Sequence, residues 1–154
     1  MNDGSVRILL EGNRRVYQPG DVLSGEYQVD SLRWIEPAAV EVSVLWHTEG
    51  QGEEDLAVHY FERIDTLDQA GTDFRRPHRF STSLPHSPLT YQGVIVKIHW
   101  CVRVRVFLPR GKELVGEAPF QLGTLPPARL ATPSGALRRS DEELPTETDL
   151  GGGF

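Results

Sequence analysis

Between residues 93 and 107 every second position is apolar: Val94, Val96, Ile98, Trp100, Val102, Val104 and Val106. The interleaved positions are Ile95, Lys97, His99, Cys101, Arg103, Arg105 and Phe107, a largely polar set carrying three of the chain's cations. Strict alternation is the period of a pleated strand, whose successive side chains point to opposite faces. A helix would scatter the same apolar residues around its whole circumference. The run is also rich in β-branched valine, which packs well on a pleated surface. At about 3.3 Å per residue the strand approaches ~40 Å. That is enough to cross a whole sandwich and to pair with different neighbours along its length. The fold is therefore built around a sheet.

Similar alternation recurs on both sides. Residues 6–10 read as a first strand, followed by the turn signal Glu11-Gly12-Asn13. Pro19-Gly20 suits the central pair of a type II turn, because glycine tolerates the positive φ required there. Leu23, Gly25, Tyr27 and Val29 then alternate with Ser24, Glu26, Gln28 and Asp30, a strand with one wet face. Val40, Val42, Val44 and Trp46 form the apolar side of the next strand. The glycine-rich acidic run 49–55 turns the chain back into residues 56–61, so these two strands are expected to form a hairpin, with Leu56, Val58 and Tyr60 on one face. Residues 65–77 lack a pattern and read as a loop. Residues 79–84 make a short strand, stopped by Leu84-Pro85-His86-Ser87-Pro88. After the turn at 109–112, residues 113–120 return as the last strand. Seven or so strands at short spacing predict an antiparallel, all-β, immunoglobulin-like sandwich, although the paired cysteines of immunoglobulin domains are missing. The sandwich is expected over 1–123 and a flexible tail over 124–154, where apolar periodicity ceases.

Composition narrows the function classes. Of 154 residues, 38% are hydrophobic and 25% charged, sufficient for one core, and the net charge of −6 argues against a nucleic-acid partner. Residues 1–5 are polar and residues 6–10 too short for a signal region, and no stretch approaches a membrane span. The single cysteine rules out an internal disulfide or a cysteine-based zinc cluster. A cytoplasmic location is the simplest expectation.

Two segments carry a resemblance. Tyr17-Gln18-Pro19-Gly20-Asp21-Val22-Leu23-Ser24-Gly25-Glu26 is similar to the arrestin pattern of an aromatic, Pro-Gly-Asp or Glu, and a glycine within the following strand. Leu84-Pro85 through Tyr91-Gln92-Gly93, ahead of the long strand, resembles the Leu-Pro…Ser-Tyr-x-Gly lead-in of arrestin-related proteins and the retromer subunit of that fold. The resemblance spans residues 6–123 and implies an adaptor or scaffold presenting strand edges and loops to partner proteins. Arrestins carry two such sandwiches, and this chain has length for one. Features that depend on an interface between two lobes do not carry over, and Pro126-Pro127-Ala128-Arg129 lacks the tyrosine of a ligase-docking motif.

Several groups invite chemistry. Lys97, His99, Arg103 and Arg105 share one strand face at about 7 Å spacing. They form either a docking stripe for an acidic peptide, the chain's own acidic tail included, or a solvated face paired with acids such as Glu41 or Glu26. The histidines at 47, 59, 78, 86 and 99 show no close spacing; His47, His59 and His99 would converge only if their strands were neighbours. No metal and no cofactor are expected. Cys101 sits mid-strand and reads as a packing residue, with His99 and Arg103 on its face. No Gly-x-Ser-x-Gly elbow or phosphate loop is present, and the acidic run lacks EF-hand spacing. Trp46 and Trp100 belong to the core. Trp34, in a connection, either folds back on the sandwich or forms a partner contact. Leu150 and Phe154 close an acidic tail whose aromatic end and carboxylate suit a peptide groove.

These readings lead to a non-catalytic adaptor binding protein partners through strand edges, the Lys97–Arg105 face, Trp34 or the Leu150–Phe154 end. A homo-oligomer by edge pairing is compatible with them. The alternative is a small-ligand or carbohydrate-binding sandwich using exposed aromatics such as Trp34 and Tyr91.

Overall fold

The computed structural model of the chain describes residues 4–30, 36–66 and 71–124. The strands in order are β1 (Ser5–Leu10), β2 (Val16–Tyr17), β3 (Val22–Asp30), β4 (Ala39–Gly50), β5 (Leu56–Asp65), β6 (His78–Ser83), β7 (Tyr91–Gln92), β8 (Val96–Phe107) and β9 (Glu113–Leu122). One sheet has the order β1-β3-β6. The other runs β2-β9-β8-β4-β5, with β7 also paired to β8. All pairings are antiparallel except that of β2 with β9. Among the described residues no helix is long and apolar enough to cross a membrane.

The alternating rows become the core. Leu23, Tyr27 and Val29 of β3 and Phe80 of β6 face Val40, Val42 and Val44 of β4 and Trp100, Val102, Val104 and Val106 of β8. Burying such rows between two sheets is the main favourable term in folding. Trp100 is fixed further by donating its indole N–H to the Pro88 carbonyl at 2.7 Å. Trp46 is partly buried against the same cluster.

The turn at Pro19-Gly20 has the type II geometry expected of it. The Asp21 amide donates to the Gln18 carbonyl at 3.0 Å, and Gly20 has φ 87°. Asp21 returns a side-chain bond to the Gln18 amide at 2.8 Å and pairs with Arg14. The Gly20 amide and the Leu84 amide exchange bonds with Leu84 and Asp21 carbonyls, tying this turn to the end of β6.

Three features differ from the alternation. The long strand begins at Val96, so Gly93, Val94 and Ile95 form a turn outside the ladder. Phe74, within the patternless 65–77 stretch, is fully buried, and the amide of Val29 donates to its carbonyl at 2.8 Å. The third is a bulge in β5. Val44 pairs with Tyr60, but Leu45 pairs with Val58, leaving His59 as an extra residue.

The sandwich is closed along one side, where Val6 of β1 crosses Gly116 of β9; a Cβ at 116 would lie 2.8 Å from that of Val6. Along the opposite side, His59 of β5 reaches the Ser83 carbonyl of β6 at 2.7 Å.

Candidate interaction site

The outer face of the larger sheet is set by register, since directly paired residues point the same way. Glu41, Ser43, Leu45 and His47 of β4 stand opposite Arg105, Arg103, Cys101 and His99 of β8. Lys97 is opposite Glu49. The four basic residues 97, 99, 103 and 105 thus share the outer face, and carboxylates interleave with them.

Arg103 donates to Glu117 of β9 at 2.7 Å, and Arg105 donates to Glu113 at 2.6 Å. Glu41 lies between two arginines, 2.6 Å from Arg63 of β5 and 3.8 Å from Arg105. The guanidinium groups of Arg63 and Arg105 also flank the Phe107 ring, at 5.4 and 4.9 Å from its centroid. Glu26 belongs to the other sheet, where it meets Arg79 at 3.8 Å. His99 bonds Glu49 at 2.7 Å and lies 5.2 Å from the His47 ring. These bonds hold the carboxyl groups of Glu113 and Glu49 below the usual glutamate range, through Arg105 and His99 respectively. Exposed pairs of this kind contribute little to stability. The arginines are therefore engaged but not locked, and an acidic partner would exchange one carboxylate for another.

Two of the three outward-reading histidines, His47 and His99, do meet. The bulge turns His59 to the inner face, where its ring stands edge-on to Trp100 at 6.2 Å. Among the described residues no group of three or more potential ligands is arranged to hold a metal. Cys101 is 3% exposed, and burial pushes its thiol up to about 11, with Glu117 adding to the effect. A thiol so placed is protonated at neutral pH and shielded from solvent, the opposite of a reactive cysteine.

The same bulge exposes a group that sequence alternation missed. Beyond it, Val58 stands opposite Leu45 and Leu56 opposite His47, which puts both on the outer face. Phe61, opposite Ser43, joins them. These three apolar side chains are between 49% and 53% exposed, and they lie on β5, the terminal strand of its sheet. Tyr60, by contrast, packs against the core. The signal available in sequence was a bare one: three large apolar residues in a segment too polar at Glu62, Arg63 and Asp65 to be central.

Tyr91 is half exposed beside a groove of about 560 Å³ lined in part by Arg15, Thr90, Gln92, His99 and Gln121, with Trp100 also on its wall. Trp34, Leu150 and Phe154 lie outside the described residues.

Two facing sheets, the Pro-Gly turn tied to the end of β6 and the long β8 define an arrestin-type β-sandwich. No protein-family model matches the sequence, and no curated protein matches it. Among solved structures the chain is similar to Spo0M, the sporulation control protein of Bacillus subtilis. The two are 12% identical, with a TM-score of 0.56, over 80% of this chain and 51% of that one. At that identity the likeness shows the fold alone, and the chain spans about half of the Spo0M length.

Proposed function

We propose that this chain is a non-catalytic, cytoplasmic adaptor that binds an extended segment of a partner protein along β5. The observation that carries the reading is the place of β5 at the end of its sheet, among the described residues, together with the exposed Leu56, Val58 and Phe61 on its outer face. An unpaired edge offers a row of main-chain donors and acceptors, and alternate side chains supply the selectivity. Proteins that avoid such pairing place lysine, proline or inward charge on the edge, or twist it away with a bulge such as the one at His59. The half of β5 preceding the bulge, Leu56-Ala57-Val58, carries none of these. Exposed apolar residues grouped on one face of an edge strand favour an interaction site there.

The outer-face residues Lys97, His99, Arg103 and Arg105 continue the same sheet and form the flank of the proposed site, where acidic side chains of the partner would compete with Glu49, Glu117 and Glu113. Trp34 and the Leu150–Phe154 end are further contacts in this reading, with 1–123 as the binding unit and 124–154 as an extension of it. Similarity of fold to Spo0M, a sporulation control protein, is consistent with a regulatory module.

The test is capture of partners from the native host's lysate by three chains: wild type, Val58→Lys and a chain truncated after Gly123. Recovery of one stoichiometric partner by wild type and the truncated chain, and its loss with Val58→Lys, supports docking on β5. Undiminished recovery with Val58→Lys refutes it. Loss on truncation alone moves the site to 124–154.

A further inference from the structure

We infer that the end of the sandwich formed by the 51–55 and 93–95 turns is a second docking surface, for a partner segment that is apolar and flanked by lysine or arginine. It adjoins the start of β5 at Leu56 but presents different side chains, and it rests on two independent observations.

The first is an apolar tip. Val94 is 98% exposed and Ile95 68%, with Tyr91 and Val96 partly exposed behind them. Outward β-branched side chains at a turn contribute nothing to the core, and a turn of this kind ordinarily carries polar residues. The second is the charge beside it. Glu53, Glu54 and Asp55 are exposed, and Glu49 follows at the end of β4. Within residues 48–56 and 90–98 there are four carboxylates and one Lys or Arg, Lys97.

The two turns are held together. Gly50 pairs with Val96, and the Gln51 amide donates to the Ile95 carbonyl at 3.4 Å. A Cβ on Gly50 would lie 2.2 Å from that carbonyl oxygen, so only glycine lets the turns approach this closely. The acidic turn is closed in addition by the Thr48 amide on the Asp55 carbonyl and the Asp55 amide on the Thr48 hydroxyl. An apolar tip is thus fixed against an acidic rim.

The chemistry of the tip and its rim favours a protein over a lipid as the occupant. Two aliphatic side chains bury less apolar surface than a single acyl chain, which anchors a protein only marginally by itself. Stable membrane docking then needs basic residues around the insertion, and here the rim is acidic and would be repelled by anionic headgroups. A protein cleft that is apolar at its centre and basic at its edge satisfies both features, with charge steering the encounter.

The experiment uses the full chain with Ile95→Cys, labelled with benzophenone maleimide; buried Cys101 leaves position 95 as the reactive thiol. Cross-linking is carried out in native host extract with membranes present, with Arg110→Cys, in the turn at the far end of β8, as control. Supporting the inference is a protein adduct whose cross-linked peptide is apolar with at least two flanking Lys or Arg. Its yield should fall about fivefold or more in Glu53→Gln/Glu54→Gln/Asp55→Asn and in about 0.5 M salt. A phospholipid adduct overturns the inference, as does a yield no higher than that of Arg110→Cys. So does an adduct with residues 125–154 of the chain itself, or a yield unmoved by the charge variant. The Val58→Lys change leaves the yield intact if this surface acts alone; a parallel loss assigns capture to β5 and removes the second surface.

Discussion

Val58 lies directly across the ladder from Leu45, one residue out of step with the neighbouring pair of Tyr60 and Val44. The extra residue, His59, is what reverses the facing of the first half of β5. It exchanges a core role for Val58 and Leu56 for an exposed one, and spends its own ring on Trp100 and Ser83.

That division of labour is measurable. Replacing His59 with alanine removes the bond to the Ser83 carbonyl and should lower stability by about 1 kcal/mol. Val58→Ser, at a half-exposed site, should stay within about 0.5 kcal/mol of wild type. Urea unfolding followed by tryptophan fluorescence compares the two. Equal losses would show that Val58 is a packing residue after all.

The indole of Trp100 offers a second check. Trp100→Phe retains an aromatic ring beside Phe120 but leaves the Pro88 carbonyl without its donor. A loss of about 1–3 kcal/mol is expected from the unmatched polar group, with any residual cavity adding to it. Circular dichroism melts of the variant should retain one cooperative transition at a lower midpoint.

Cys101 should be silent in the folded chain. At pH 8, Ellman's reagent is expected to find no thiol until denaturant is added, then one per chain. Rapid labelling of the native protein would contradict the burial that raises its pKa.

Acid should weaken the fold in a defined direction. The carboxyl groups of Asp21, Glu49, Asp73 and Glu113 lie below their ordinary values of 3.8 for aspartate and 4.5 for glutamate. Asp21 is held down first by the Gln18 amide, Asp73 and Glu113 by arginine bonds, and Glu49 by His99. Groups with a depressed folded pKa give stability that is fully present above the unfolded value and lost as pH falls through the folded one. The urea midpoint should therefore hold above about pH 5 and decline below about pH 4.5. Glu113→Gln should flatten part of that decline. A midpoint indifferent to pH down to about 3 would show that these bonds do not persist in solution.

Alternation made most of the fold legible. The wet and dry faces of β3 and the inward valines of β4 and β8 are where the sequence pattern puts them, because the pleat is a local property of the backbone. The type II turn at Pro19-Gly20 was equally readable from residue chemistry. Two-residue strands such as β2 and β7 were not, since a period cannot be seen in two positions. Neither was the burial of Phe74, which depends on β3 passing over it. The Val94 and Ile95 side chains continue the alternation of β8 without belonging to its ladder, so pattern alone extended the strand too far. At the outer face, sequence put the cations on one side. The acids that meet them come from β4 and β9 through a register that is non-local, and Glu113 reaches Arg105 diagonally although Val115 is the direct partner. The apolar group on β5 was hidden by the bulge, which one extra residue creates without any compositional mark.

The place of β5 at the end of its sheet, among the described residues, also has a mechanical meaning. Force applied to β5 parallel to the strand loads the β4–β5 ladder in shear, with many hydrogen bonds strained at once. Pulled away from the sheet, the same strand peels them one after another. The join therefore resists tension along the strand far better than across it.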